Sequence, residues 1–201
     1  MDEKFAADVR EGLSAAPKYL PSKYFYNEPG DKLFQKIMEL EEYYLTKAEY
    51  DIFENQKSEV LNYFSDDGQR FDLIEFGAGD GYKTRVLIEY FLAEKARFTY
   101  VPIDISENVL NELTSLLAGS FPELRINPLN DDYFHALEEL NKVDFDRKVI
   151  LFLGSNIGNF REDQAIPFLS HIAADMSAAD RLLIRFDLKK NPEIILAANN
   201  D

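Results

Sequence analysis

The sequence predicts an α/β domain with a doubly wound parallel sheet and a helical cap at its N-terminus. From Phe71 onward, short apolar segments alternate with amphipathic ones, a pattern typical of parallel strands joined by helices. Before that point, residues 1–65 show helical periodicity and no strong strand. We therefore expect residues 1–65 to form a cap and residues 66–190 to form the sheet domain.

The composition excludes several classes of protein. The chain has 201 residues, of which 46% are hydrophobic, so it can bury a substantial core. Its 37 acidic and 22 basic residues give a net charge of −15, which repels nucleic-acid phosphates and anionic membranes. We therefore expect neither nucleic acid nor a membrane as a partner.

Cysteine and histidine usage argues against a metal site. The chain has no cysteine, which excludes disulfides and thiolate zinc sites. Its two histidines, His135 and His171, are far apart in the sequence and do not indicate a metal site. The sequence shows neither a signal peptide nor an apolar run of about 18 residues, so we expect a cytoplasmic protein. We also expect a monomer.

The cap is predicted to contain two main helices. Asp31 is expected to cap a helix that reaches Leu40. Thr46 and Glu49 have the spacing of a capping box, which predicts a second helix that runs to about Phe64. The segment 23–27 before these helices is rich in aromatic residues, which pack onto a core or contact a ligand.

The sheet domain is predicted to contain five strands. They are Asp72–Phe76, Phe98–Ile103, Leu124–Asn127, Lys148–Leu153 and Arg181–Asp187. The intervening helices are expected at about Tyr82–Lys95, Glu107–Leu117, Tyr133–Leu140 and Glu162–Met176. Asn191 and Pro192 then predict a last helix, because proline suits the first helical position. No strand follows it, so we interpret residues 191–201 as the start of a C-terminal region of a longer protein.

The ends of the first three predicted strands carry groups that suit an adenosine. In doubly wound sheets, ligands bind beyond the C-terminal ends of the strands. The first strand leads into the turn Gly77–Gly81 (GAGDG), where the backbone can approach a ligand closely. Asp104 follows the second strand and suits the ribose hydroxyls. Asp132 and Tyr133 follow the third and suit the amine and ring of adenine.

The glycine spacing separates two kinds of adenosine cofactor. A dinucleotide site has a third glycine where this chain has Tyr82. Lys83 follows, and two interpretations of it stay open at this point. It is either an exposed lysine at a helix start, or it pairs with a carboxylate that reaches into the turn. The second interpretation fits the amino-acid end of S-adenosylmethionine.

Several motifs resemble those of the histidine-specific S-adenosylmethionine methyltransferases. They are EFGAGDG followed by KTR, VPIDIS, FLGSNIGN and, upstream, YFYNEPGDKLFQKIMELEEYYLTKAE. The resemblance runs from about Pro17 to Pro192. This family includes the enzyme that trimethylates the α-amino group of histidine on the way to ergothioneine. The resemblance implies a Rossmann-like class I methyltransferase fold and S-adenosyl-L-methionine as cofactor.

The resemblance also implies roles for individual residues. The implied cofactor contacts are Tyr26, Gly77, Gly79, Lys83, Asp104, Asp132 and Tyr133. Among them, Lys83 would contact the methionine carboxylate and Asp104 the ribose. Tyr43 and Asn159 would hold the substrate, with Asn159 near its α-amino group. Alternatively, Tyr43 packs between cap and sheet and Asn159 is a turn or cap residue.

One departure from the family limits what the resemblance implies. The family has a tyrosine contact to the substrate in the run that reads Ala198–Asp201 (ANND) here, and it continues beyond this point. The predicted function is S-adenosylmethionine-dependent methylation of the α-amino group of histidine or a related small amine. The alternatives are a cofactor-binding fragment that is inactive alone, or methylation of another amine or a protein side chain. No catalytic base is identified.

Overall fold

A parallel sheet of six strands runs through the part of the chain that the computed structural model describes, residues 3–65, 67–140, 142, 143, 145 and 147–199. The strands are β1 (Phe71–Phe76), β2 (Phe98–Asp104), β3 (Arg125–Ile126), β4 (Leu129–Asn130), β5 (Lys148–Phe152) and β6 (Arg181–Ile184). Their order is β3-β2-β1-β5-β6, and β4 also pairs with β2. The order reverses between β1 and β5, which confirms the predicted doubly wound fold and places a ligand crevice beyond these strand ends.

The third predicted strand, Leu124–Asn127, is shortened to β3, and a further short strand, β4, follows beyond its predicted end. Both pair with β2, Thr99 with Arg125 and Ile103 with Leu129. Pro128 lies between the two segments and has no N–H to donate, which interrupts the ladder. The last strand was predicted to reach Asp187, but it ends at Ile184.

Eight helices flank the sheet within the described residues. They are α1 (Glu3–Ser14), α2 (Glu28–Met38), α3 (Tyr44–Phe64), α4 (Thr84–Ala93), α5 (Glu107–Ser120), α6 (Tyr133–Leu140), α7 (Glu162–Ala174) and α8 (Pro192–Asn199). Two short 3-10 helices, Ser22–Phe25 and Asn156–Asn159, complete the set. The predicted bounds of α6 are confirmed at both ends. None of the helices in the described part of the chain is long and apolar enough to cross a membrane.

The predicted cap of α2 is wrong. The helix begins at Glu28, and the side chain of Asn27 accepts the hydrogen bond from Gly30 N at 3.0 Å. Asp31 therefore lies inside the helix, where it is buried. Its Oδ2 accepts a hydrogen bond from Ser106 Oγ at 2.6 Å, which joins α2 to the start of α5.

The predicted capping box of α3 is also wrong. The helix begins at Tyr44, so Thr46 and Glu49 both lie within it and both are buried. The spacing of these two residues is that of a cap, but their side chains face the interior.

The predicted start of the last helix, α8, is confirmed, because Asn191 Oδ1 accepts a hydrogen bond from Glu193 N at 3.0 Å. Residues 200 and 201, which belong to the ANND run, lie outside the described residues.

The hydrophobic core has a layer on each face of the sheet. Alternate residues of β1 supply them, with Phe71 and Leu73 on one face and Ile74 and Phe76 on the other. The first layer also contains residues of α3, such as Phe64, packed against α4. The longest cap helix therefore shares the core of the sheet.

A carboxyl group lies within this core. Glu75 of β1 is 3% exposed and accepts hydrogen bonds from Thr84 Oγ1, at 2.6 Å, and from the hydroxyl of Tyr100. Burial raises the pKa of Glu75 to about 7, because the apolar surroundings disfavour its charged form. The pKa of Glu75 in the unfolded chain is near 4.5. Between about pH 4.5 and 7, Glu75 is therefore protonated in the folded protein and ionised in the unfolded chain.

This difference predicts a pH-dependent stability. The contribution of Glu75 is largest below pH 4.5, falls as the pH rises and is constant above about 7. Between pH 5.5 and 8 we expect the wild type to lose about 2 kcal/mol of unfolding free energy through this group. In Glu75→Gln this part of the pH dependence should disappear, measured by urea unfolding at both values. Glu89→Gln, at an exposed position of α4, should retain it. Equal slopes for Glu75→Gln and wild type would contradict the assignment.

Candidate functional site

A cavity of about 680 Å³ lies at the C-terminal ends of the strands, between the sheet and the N-terminal helices. The residues predicted to form the site all line it: Tyr26, Tyr43, Gly77, Gly79, Lys83, Asp104, Asp132, Tyr133 and Asn159. They come from the cap, the glycine turn, the end of β2, the start of α6 and the loop after β5. Their roles toward a ligand stay predictions, but their common location follows from the fold.

The glycine turn after β1 forms the floor of the cavity. Gly77, Gly79 and Gly81 have φ values of 71°, 56° and 66°, in the left-handed region that favours glycine. A Cβ atom on Gly77 would lie 2.6 Å from the amide nitrogen of Asn156 and 2.6 Å from the hydroxyl of Tyr133. At Gly79 a Cβ would meet nothing within 4 Å. The turn is therefore enclosed at its first glycine and open to a ligand at its second.

Asp104 connects this turn to the end of β2. Its Oδ2 accepts a hydrogen bond from Gly79 N at 2.9 Å and its Oδ1 accepts one from Ser106 N at 3.0 Å. Burial raises the pKa of Asp104, while these backbone bonds act in the opposite direction. Each carboxylate oxygen can accept a further bond. Asp104 can therefore accept hydrogen bonds from a pair of ligand hydroxyls without giving up its hold on the turn.

Asp132 acts as the cap of α6. Its Oδ1 accepts from the backbone N–H groups of Phe134 and His135, both at 3.1 Å, and its Oδ2 lies 2.9 Å from His135 Nδ1. Burial raises the pKa of Asp132, but the hydrogen bonds from His135 outweigh it and the net shift is downward. Asp132 thus presents an ionised, partly exposed carboxylate at the cavity wall.

Tyr133 lies deeper than the sequence suggests. Its ring packs edge-on against Phe76, Phe152 and Phe160, with centroid distances of 5.4–5.9 Å. Its hydroxyl lies against Gly77. Burial raises the pKa of Tyr133, so it stays a neutral donor at physiological pH. This orientation favours a hydrogen bond from its hydroxyl over stacking of its ring on a base.

A buried carboxylate of the cap joins three elements of the sheet domain. Glu49 of α3, 1% exposed, forms a salt bridge with Lys83 at the start of α4. Its Oε1 accepts a hydrogen bond from Gly154 N, after β5, at 3.1 Å. The same oxygen lies 3.8 Å from Nε of Arg185, after β6. Lys83 therefore lines the cavity with its positive charge already paired with the carboxylate of Glu49.

Aromatic side chains of the cap form the wall opposite the sheet. The ring of Phe34 lies edge-on between Tyr26, at 6.5 Å, and Tyr43, at 6.2 Å. Burial raises the pKa of both tyrosines. They provide neutral hydroxyl groups on an aromatic surface that is partly exposed to solvent.

The loop after β5 turns back over the glycine turn. Gly154 and Ser155 have φ values of 66° and 58°, and such a conformation is uncommon for a residue that is not glycine. The 3-10 helix Asn156–Asn159 follows immediately. The double turn brings Asn156 against Gly77 and leaves Asn159 at the cavity wall.

Three residues of the site were not identified from the sequence. Asn156 lies within the GSNIGN motif, which could have indicated it. Glu49 was interpreted as a helix cap, and nothing in the pattern of its own helix indicated a buried salt bridge. Arg185 lies just beyond the last strand, a position that in this fold faces the cavity.

Comparisons with known proteins agree with this geometry. Residues 5–201 match a family model described as histidine-specific, S-adenosylmethionine-dependent methyltransferase. The chain is 33% identical over 199 residues to the histidine N-alpha-methyltransferase of Mycolicibacterium smegmatis, covering 99% of this chain and 60% of that protein. It is 33% identical over 194 residues to the enzyme of the same name from Mycobacterium tuberculosis, covering 96% and 59%. The chain thus spans about three-fifths of the length of these curated relatives.

A solved structure shows the same fold. Magnesium protoporphyrin IX methyltransferase from Synechocystis, with bound S-adenosylmethionine, superposes with a TM-score of 0.55 at 15% identity, over 88% of this chain and 81% of that one. At this identity the likeness concerns the fold alone, and it confirms the Rossmann-like class I arrangement.

The buried salt bridge predicts a large loss of stability when its carboxylate is removed. Glu49→Ala leaves Lys83 and Arg185 with an unbalanced charge in a buried setting, and we expect a loss of about 3–5 kcal/mol of unfolding free energy. Urea denaturation measures it. Glu54→Ala, which removes an exposed ion pair with Lys57 in the same helix, should change stability little. Similar values for the two variants would show that the buried network does not hold the cap.

Proposed function

The chain belongs to the family of histidine-specific, S-adenosyl-L-methionine-dependent methyltransferases, and from this premise we propose that it forms the cofactor site and part of the acceptor site of an enzyme that methylates the α-amino group of histidine or a related small amine. The observation that carries the proposal is the convergence of all the predicted site residues on one cavity. Cytoplasmic location, a monomeric state and the absence of nucleic-acid or membrane partners stay predictions from the sequence.

The residues present fit the cofactor of this family. The open space beside Gly79 and the acceptor capacity of Asp104 suit a ribose with two hydroxyl groups. The ionised carboxylate of Asp132 suits the exocyclic amine of adenine. Lys83 supplies a positive charge, and its ammonium group has three donors, of which Glu49 engages one. A carboxylate of the cofactor can therefore bind Lys83 without breaking the salt bridge.

The chain's own residues are proposed to contribute mainly the positioning of the reactants. When bound, S-adenosylmethionine supplies a methyl group on a sulfonium, whose transfer to a neutral amine breaks one S–C bond, forms one N–C bond, leaves a thioether and releases one proton from the amine. Asn159 is proposed to accept a hydrogen bond from the amine and orient its lone pair. Tyr43 is proposed to support the acceptor from the cap side. Correct alignment of this kind supplies much of the rate of a displacement.

A second candidate function is cofactor binding without activity of these 201 residues on their own. It is favoured by the share of the relatives that the chain spans, about three-fifths of their length. A third candidate is methylation of another amine or of a protein side chain on the same scaffold. These alternatives differ from the first in which acceptor, if any, receives the methyl group.

Asp104 tests the cofactor site. We expect Asp104→Ala to weaken binding of S-adenosylhomocysteine by about 1–3 kcal/mol, because it removes acceptors for the ribose and the bond that holds Gly79. Isothermal titration calorimetry measures the effect, with Asp51→Ala on the exposed face of α3 as control. An unchanged affinity, or tighter binding of NAD than of S-adenosylhomocysteine by the wild type, would contradict the assignment.

The acceptor is tested by transfer of a radiolabelled methyl group. The complete natural polypeptide is incubated with labelled S-adenosylmethionine and a panel that contains histidine, other amino acids, simple amines and protein. We expect labelled product with histidine or a closely related amine. Label confined to protein would favour the third candidate. Cofactor binding without transfer to any acceptor would favour the second.

A further inference from the structure

Arg185 is one of four basic residues that line the cavity, and the other three, Lys23, Lys83 and Arg161, each form a close ion pair with a carboxylate. Its backbone N–H donates to the carbonyl oxygen of Phe152 at 3.0 Å, which fixes its main chain beside β5. Its side chain is 13% exposed and lines the cavity. Nη1 donates to Ser155 Oγ at 2.6 Å, so the strained turn after β5 also holds the guanidinium in place.

The guanidinium has no carboxylate hydrogen-bonded to it among the described residues. Glu49 Oε1 lies 3.8 Å from Nε, beyond hydrogen-bond distance, and Glu49 is closer to Lys83. Asp187 is also near enough to interact electrostatically, but its oxygens accept from Tyr44 and Lys190. A guanidinium offers five donors in a planar fork that matches a carboxylate. Arg185 is therefore a largely buried cation with donors to spare.

Charges around Glu49 are unbalanced. Lys83 and Arg185 carry two positive charges and share one buried carboxylate. Acidic residues such as Asp104 and Asp132 line other parts of the same cavity, so this excess of one positive charge is counted only among the groups beside Glu49. A buried excess charge is costly unless a partner of opposite sign is supplied. The cofactor carboxylate proposed to bind Lys83 would supply one such partner, so the assignment of a second carboxylate to Arg185 rests on the N–H donors that it has left beside its bond to Ser155.

Arg185 lies on the acceptor side of the cavity. Arg185 and Tyr43 line the same cavity, and the positive charge of Arg185 opposes the rise that burial causes in the pKa of Tyr43. Ser155, which Arg185 contacts, precedes the 3-10 helix that ends at Asn159. Tyr43 and Asn159 are the residues proposed to hold the acceptor.

We infer that Arg185 binds the carboxylate of the acceptor, so that the site selects an α-amino acid over the amine that lacks the carboxylate. The inference rests on the proposed function and extends it, because it assigns a specificity-determining residue. Asn159 on the amino group and Arg185 on the carboxylate together would fix the orientation of the α-carbon. Methylation of the α-amino group, and not of a side-chain nitrogen, follows from that orientation.

The experiment compares L-histidine with histamine, which differ by the carboxylate. Binding to the complete natural polypeptide saturated with S-adenosylhomocysteine is measured by calorimetry. The wild type should prefer histidine by about 10- to 100-fold, the effect of one charge-assisted hydrogen-bonded pair. Arg185→Met should lose that preference through weaker histidine binding, with histamine binding and S-adenosylhomocysteine affinity little changed. Arg185→Lys, which keeps the charge, should restore part of it.

The controls separate this inference from its alternatives. Lys190→Met removes a cation from the same segment outside the cavity and should retain the preference for histidine. Equal binding of histidine and histamine by the wild type would overturn the role of Arg185 while the proposed acceptor class stands. The role of Arg185 would also be overturned if Arg185→Met kept the preference for histidine, or if the variant weakened binding of S-adenosylhomocysteine and not of histidine. If the wild type binds the cofactor product but neither amine, the proposed acceptor fails and the carboxylate assignment fails with it.

Discussion

The site depends on one buried carboxylate. Glu49 is carried by a helix of the cap, yet its contacts are with the start of α4, the turn after β5 and the residue after β6. Hydrogen bonds from Ser106 to Asp31 and from Tyr44 to Asp187 also join the cap to the sheet domain, but Glu49 contacts three separate elements of that domain. Directional bonds to separate strand ends fix where Tyr26 and Tyr43 stand relative to the glycine turn.

The wall of the cavity on the sheet side, opposite the cap, is formed by the backbone of the glycine turn. The left-handed glycines let the chain leave β1 in a tight turn, and Asp104 then holds that turn to β2 through the N–H of Gly79. The reversal of strand order between β1 and β5 opens the crevice at this place. The carboxylate of Asp104 therefore holds the turn and is also available to a ligand. Its hydrogen bonds from Gly79 N and Ser106 N compensate for its burial.

Much of the fold and site could be predicted from the sequence, for a physical reason. Parallel strands are continuous apolar segments, and their C-terminal ends meet at one edge, so Asp104, Asp132 and Asn159 could be placed together without coordinates. The errors concern side chains whose role is set by a distant partner. Glu49 has capping-box spacing, but Lys83 and Gly154 determine where it points. The short strand β4 was not predicted, because it has only two residues and follows Pro128.

The long sequence separations within the Glu49 network have a consequence for folding order. Glu49 and Gly154 are 105 residues apart, and Arg185 lies beyond the edge strand β6. Contacts of such span form slowly, since a long loop must close before they stabilise anything. A nascent chain can assemble β1, β2 and their glycine turn early, whereas the contacts of Glu49 with Gly154 and Arg185 require β5 and β6 to be in place. The side of the cavity formed by the glycine turn would thus exist before Glu49 has bound its partners after β5 and β6.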